Sequence, residues 1–261
     1  MSLLATPVPV WVSILFILTF PIVIFLIANT AKKAARQASL PEAKSTQIWW
    51  ATVGFYLAYL SYTTLLSALG FFDKLTLPPR IFLFTTIPLL LFYVGFIYRT
   101  KLFRTLLEHA SLESLIRIHT FRFVGLFFLI NLWYDALPQR FALIAGIGDI
   151  VTAALAIWVA RQVEHRKPGS YRAVLIWNSI GLWDIMSVIV SGMLTANQAI
   201  AGNAEALRLN YIAANPFCWI PALAPATIVF LHIGIFKKLV IYKKELAAGT
   251  FVTWPSAKAA A

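Results

Sequence analysis

Five ionisable residues stand inside stretches of the chain that are otherwise apolar: His119, Arg122, Asp149, Asp184 and His232. An arginine in such surroundings requires a carboxylate, because an unpaired buried charge is strongly destabilising. Two aspartates for one arginine leave a carboxylate over, which must be protonated, hydrated or bound to a ligand. That is the chemistry of a site for a small polar solute or a proton. Arg122 would hold an anionic group or a carboxylate, and Asp149 or Asp184 would exchange the proton. Asn178, on the same stretch as Asp184, joins this candidate set. The same residues also fit a plain structural role, with Arg122 and one aspartate tying neighbouring helices together. Asp184→Asn separates the two: a site loses uptake or ligand-induced stabilisation without unfolding, whereas a tie loses folding as Arg122→Gln does.

The two histidines suggest a different chemistry. His119 lies a short way inside one apolar stretch and His232 five residues before Lys237, at the matching end of another. Antiparallel helices bring such residues to similar depth, as bis-histidine ligation of a b-type haem or a metal requires. A membrane electron-transfer protein is therefore one alternative to a transporter-like protein. A non-enzymatic accessory subunit, packed in a homo-oligomer or a larger membrane complex, is another. His109 and His165 sit in basic connections and are expected to be solvated.

The elements that must position these residues follow from composition. Of 261 residues, 60% are hydrophobic and only 12% charged, yet the net charge is +12. Such scarcity of charge excludes a soluble enzyme, a disordered tail and a disulfide scaffold. A spanning helix needs about 20 mostly apolar residues. Seven segments qualify, at roughly 9–31, 48–70, 81–98, 114–135, 138–160, 172–194 and 216–236, with a tail at 246–261. The expected fold is an all-α, seven-helix transmembrane bundle. The basic residues are not a nucleic-acid face, since they sit in short clusters between spans. Seventeen fall in alternate connections, at Lys32, Lys33, Arg36, Lys44, Arg99, Lys101, Arg104, Arg117, Arg161, Arg166, Lys167, Arg172, Lys237, Lys238, Lys243, Lys244 and Lys258. Four, Lys74, Arg80, Arg140 and Arg208, fall in the others. Cytoplasmic loops retain Lys and Arg, which puts the N-terminus outside and the C-terminus inside. The first span lacks a basic leader and ends in Lys32-Lys33, so it reads as an anchor and not as a cleaved signal.

Within this frame, His119 and Arg122 are three apart and share a helix face with Gly125. Asp149 and Asp184 fall about halfway along spans five and six. Asp184 shares a stripe with Gly181, Ser187 and Ser191, and Gly148, Thr152 and Ala156 form a row of small residues that allows close backbone approach. Residues 100–110 form an amphipathic stretch expected on the inner surface, and Ser111 with Glu113 starts the fourth span as a cap. Residues 195–215 read as a polar loop that is either ordinary or a cover for an outward opening. Pro221 and Pro225 are hinge candidates in span seven, and Pro21 and Pro88 interrupt spans one and three. Trp11, Trp49, Trp50, Trp133 and Trp254 lie near span ends, where interfacial indoles belong. The single cysteine, Cys218, excludes an internal disulfide. The pairs Pro79/Pro88 and Pro216/Pro225 share a nine-residue spacing, and Ile48-Trp49 echoes Ile176-Trp177, which suggests a 3+1+3 parallel repeat.

In topology this resembles the small seven-helix transporters of the SWEET and PnuC kind, though without their sequence motifs. The stretches Arg122-Phe123-Val124-Gly125, Leu137-Pro138-Gln139-Arg140-Phe141-Ala142 and Ala145-Gly146-Ile147-Gly148-Asp149-Ile150 resemble a pattern in uncharacterised bacterial multi-pass membrane proteins. That resemblance implies a bacterial inner membrane and carries no activity. No HExxH, phosphate loop or GxSxG is present. Span seven has no internal lysine for a retinal Schiff base. The expected partners are the lipid bilayer and a small solute or proton, with no nucleic acid and no required cofactor.

Overall fold

The computed structural model describes residues 7–248, with side chains as far as Lys243. Trp254, Lys258 and nearly all of the expected tail lie outside the described residues, as does the side chain of Lys244. Within them the chain is entirely helical: α1 Val10–Gln37, α2 Glu42–Ala68, α3 Ile87–Gly95, α4 Lys101–His109, α5 Leu112–Ile118, α6 Leu126–Trp133, α7 Gln139–Glu164, α8 Ser170–Ile200 and α9 Trp219–Ala248. Six helical segments are long and apolar enough to cross a membrane: Val10–Gln37, Phe82–Arg99, Leu112–Trp133, Gln139–Glu164, Ser170–Ile200 and Trp219–Lys243. The remaining expected span, 48–70, falls in α2, which is 27 residues long and less apolar than these because it is rich in Tyr, Thr and Ser. Its polar atoms turn inward. Tyr59 Oη donates to the Ala222 carbonyl, Ser67 Oγ to that of Ala213, and Tyr56 accepts from Tyr93 at 2.9 Å.

The basic connections gather at one end of the bundle. Lys33 reaches Ser114, Arg117 pairs with Glu113 and Glu164, and Lys238 donates to the Glu108 carbonyl. Arg36 and Lys32 clasp Glu42 there and hold its carboxyl down to about 2. At the opposite end Arg208 pairs with Asp135, and Glu205 accepts the Gln139 N–H. Because α2 begins beside Lys32 and ends beside Ala213, it runs the full height of the bundle.

The helices pack around α9, whose apolar stretch is 72% buried against 22–56% for the other five apolar segments. α9 meets α2, α3, α4, α5 and α8, while α7 joins α8 to the segment comprising α5 and α6. The amphipathic stretch is α4, started by Thr100, whose Oγ1 accepts from Phe103 N–H, and turned so that Leu107 is buried. Ser111 caps α5 in the expected way.

Several local expectations change. Span four is not one α-helix: a 310 stretch, His119–Gly125, separates α5 from α6. Thr120 Oγ1 donates three residues back to the Arg117 carbonyl at its start, a contact suited to the tighter turn. Span six is longer than predicted, since α8 continues through Ile200. Residues 206–213 then form a 310 helix that buries Ala206 and Ile212 against the bundle instead of a free loop. Pro21 does not interrupt α1, and α9 passes Pro225 unbroken. Pro88 instead follows a π-helical turn, Phe82–Thr86. The two equally spaced proline pairs thus sit in different local structures.

Pro225 has no N–H for the Pro221 carbonyl four residues earlier. Thr86 Oγ1 supplies that hydrogen bond from the neighbouring span, at 2.5 Å. The hinge candidates are therefore fastened across helices. Thr86→Val is expected to lower stability by about 1 kcal/mol, seen as a fall in thermal midpoint in detergent. A midpoint equal to wild type would show that the carbonyl needs no partner.

Candidate functional site

The 310 stretch places Arg122 at the junction of α7 and α8. In a 310 helix residues three apart eclipse one another, so His119 and Arg122 stack along one edge facing the core. The guanidinium of Arg122 is fully buried and held on three sides. Nε donates to Asp149 Oδ1 at 2.7 Å, Nη1 donates to the Gly181 carbonyl at 3.1 Å, and Nη2 donates to Asp184 Oδ2. Sequence spacing puts Asp149 and Asp184 at one depth and charge requires one of them for Arg122; the structure joins all three. The third acceptor, a main-chain carbonyl, has no signature in the sequence.

Glycines make the cage and the neighbouring histidine contact possible. A Cβ on Gly125 would lie 2.5 Å from Asp149 Cβ, and one on Gly148 would lie 1.8 Å from Asp184 Oδ1. The small-residue row on α7 therefore admits a carboxylate, where close backbone approach was expected. Gly181 serves the histidines as well: its Cβ would lie 2.7 Å from His232 Cε1.

The histidines do meet at one depth. Their ring centres are 4.3 Å apart, both residues are fully buried, and Trp177 stands edge-on to His119. Asn178 is not on the arginine. Its Oδ1 accepts from His232 Nδ1 at 2.8 Å while its Nδ2 donates to the His232 carbonyl, so one amide clasps one histidine twice. This fixes the proton on Nδ1 and leaves Nε2 as a bare acceptor. Both nitrogens of His119 and Nε2 of His232 lack hydrogen-bond partners. A haem does not fit this pair. Metal–imidazole bonds of about 2 Å hold ring centres on opposite faces of a porphyrin roughly 6 Å apart, and here the two rings touch. Among the described residues no three His, Cys, Asp or Glu side chains converge as a metal site. His109 and His165 are exposed, as expected.

A cavity of about 70 Å³ leads to the cluster from the end opposite the basic connections. Lys74 and Arg80 border it in the α2–α3 connection, Phe128, Phe141 and Pro225 wall it, and Asp149 lines its depth. Asp149 is the eleventh residue of α7, so it lies roughly 15 Å along the helix, half the thickness of a hydrocarbon core of about 30 Å. Asn210 and Ile212 of the 310 helix at 206–213 also line the cavity, so residues 195–215 contribute to its wall. Asp184 does not line it. Its side chain is 15% exposed, beside Gly148.

Fold and site together define a helical membrane protein with one arginine and two carboxylates caged in its interior. Residues 78–240 match the family Domain of unknown function (DUF8737), which covers more than half of the chain, and the protein belongs to that family. No curated protein and no solved structure matches it.

Proposed function

We propose that the chain crosses a bacterial inner membrane seven times, with its N-terminus outside and its C-terminus in the cytoplasm. We assign it a transporter-like role, binding a small polar solute or a proton at Arg122, Asp149 and Asp184. The observation that carries this reading is the cavity that ends on Asp149. One guanidinium opposite two carboxylates leaves a formal surplus of one negative charge, and a buried surplus charge is relieved by a proton or a ligand. The orientation draws support from the seventeen basic residues on one side. With that orientation the cavity opens outward, and the apolar cluster around Ile116, Val159 and Ile235 closes the path inward.

Because the cavity reaches Asp149 and not Asp184, Asp149→Asn is the decisive variant. Purified protein is screened for thermal stabilisation by small polar solutes, and proteoliposomes containing a pH-sensitive dye report proton entry. Asp149→Asn is expected to abolish the response while its own midpoint stays within a few degrees of wild type. If Asp149→Asn and Arg122→Gln instead fail to fold alike, the cluster is only a tie between helices.

A further inference from the structure

A second concavity lies on the outside of the bundle, between α7 and α8, with a volume of about 780 Å³. Along α8 it runs from Gln198 to Trp183, roughly 22 Å of helix at 1.5 Å per residue. That length reaches from the interfacial layer past the middle of a hydrocarbon core about 30 Å thick. Its character changes along the way. Deep in the membrane it is lined by Trp183, Val190 and Leu194, with Trp183 76% exposed, and by Ser187, Ser191 and Thr195, of which Ser187 and Thr195 donate their hydroxyls back to α8 carbonyls. At the interface it is rimmed by Arg140, from the first turn of α7, and by Glu205, from the connection after α8.

These two rim charges do not neutralise each other. Arg140 forms no ion pair among the described residues, and Glu205 spends one oxygen on the Gln139 N–H at 3.0 Å. A groove one leaflet deep, mostly apolar below, with a separate cation and anion above, matches a molecule with an acyl chain, a phosphate and an ammonium. We propose that this groove binds one phosphatidylethanolamine molecule from the adjoining leaflet, its phosphate on Arg140, its ammonium on Glu205 and an acyl chain along Leu194, Val190 and Trp183. An anionic phospholipid satisfies only Arg140. A choline headgroup has no N–H to give Glu205. The assignment is independent of what happens at Arg122.

The test uses the full-length protein, stripped of lipid in detergent and returned to mixed micelles of phosphatidylethanolamine, phosphatidylcholine or phosphatidylglycerol with identical acyl chains. Native mass spectrometry counts the molecules retained. The expected result is one phosphatidylethanolamine per chain, held at least fivefold better than either competitor. Arg140→Ala should abolish retention. Glu205→Gln keeps an oxygen for the Gln139 N–H and should erase the preference over phosphatidylcholine. Leu194→Trp leaves both rim residues in place, fills the groove and should also expel the lipid. Equal retention by wild type, Arg140→Ala and Leu194→Trp would overturn the assignment. So would a stable dimer that Leu194→Trp converts to monomer, since a second copy would then occupy the groove.

Discussion

Arg122→Gln is expected to cost the folded protein about 3–5 kcal/mol, the usual penalty for removing one partner of a buried ion pair. The residue is fully buried, and its loss leaves Asp149 and Asp184 facing each other with no cation between them. The aspartate variants should cost less. Asp149→Asn keeps an oxygen for Arg122 Nε and leaves the guanidinium a carboxylate on Asp184. Asp184→Asn should cost least, because that side chain is 15% exposed and less desolvated. The order Arg122→Gln, then Asp149→Asn, then Asp184→Asn is read from thermal midpoints and from the monodisperse fraction in size-exclusion chromatography. Adding Asp149→Asn to Arg122→Gln should restore part of the loss, since it removes one of the two abandoned carboxylates. Purely additive costs, or a stable Arg122→Gln, would show that the cage does not hold the spans together.

Gly125→Ala and Gly148→Ala are expected to destabilise by different routes. The Cβ on Gly125 meets Asp149 Cβ at 2.5 Å, an atom fixed to the backbone, so α7 itself must move. Overpacking of this kind costs about 1–3 kcal/mol, and the upper end is expected here because the displaced side chain also holds Arg122. The Cβ on Gly148 meets the far end of the Asp184 side chain. That carboxylate can swing aside, at the expense of its bond to Arg122. The difference appears in a double-mutant cycle. Gly148→Ala should cost nothing further in an Asp184→Ala background, while Gly125→Ala should keep its full cost there. Thermal unfolding of wild type and these five variants suffices, and a cost for Gly148→Ala that survives Asp184→Ala would mean that backbone approach, and not the carboxylate, requires the glycine.

The candidate site was largely legible because charge is so scarce. Among the few ionisable residues inside apolar stretches, depth matched Asp149 with Asp184 and charge demanded one of them for Arg122, but whether both would meet it was not legible. The meeting of His119 with His232 followed from the same reasoning. The partner of Asn178, His232, was not legible, because an amide carries no charge to betray it. The Gly181 carbonyl and the Thr86 hydroxyl were invisible for a related reason: both answer main-chain geometry, which side-chain types do not encode. The 310 stretch was missed because His119–Gly125 contains no proline, and its only local mark is Thr120, a residue common in ordinary helices. α2 shows the opposite limit. Its length reads as a span, while polar residues such as Tyr59, Tyr56 and Ser67, which bond to Ala222, Tyr93 and Ala213, dilute the apolar signal.

Span four, built from α5, the 310 stretch and α6, is in effect a screw cut with two pitches. Seven residues at the 310 rise of about 2.0 Å occupy roughly 14 Å, against roughly 10.5 Å at the α rise of about 1.5 Å. Rewinding them would shorten the span by roughly 3.5 Å and rotate its two ends against each other by roughly 140°, the accumulated difference between about 120° and 100° per residue. His119 and Arg122 lie inside the thread that would turn. Pushing α5 inward from the basic end by that distance would therefore reach the arginine as a rotation.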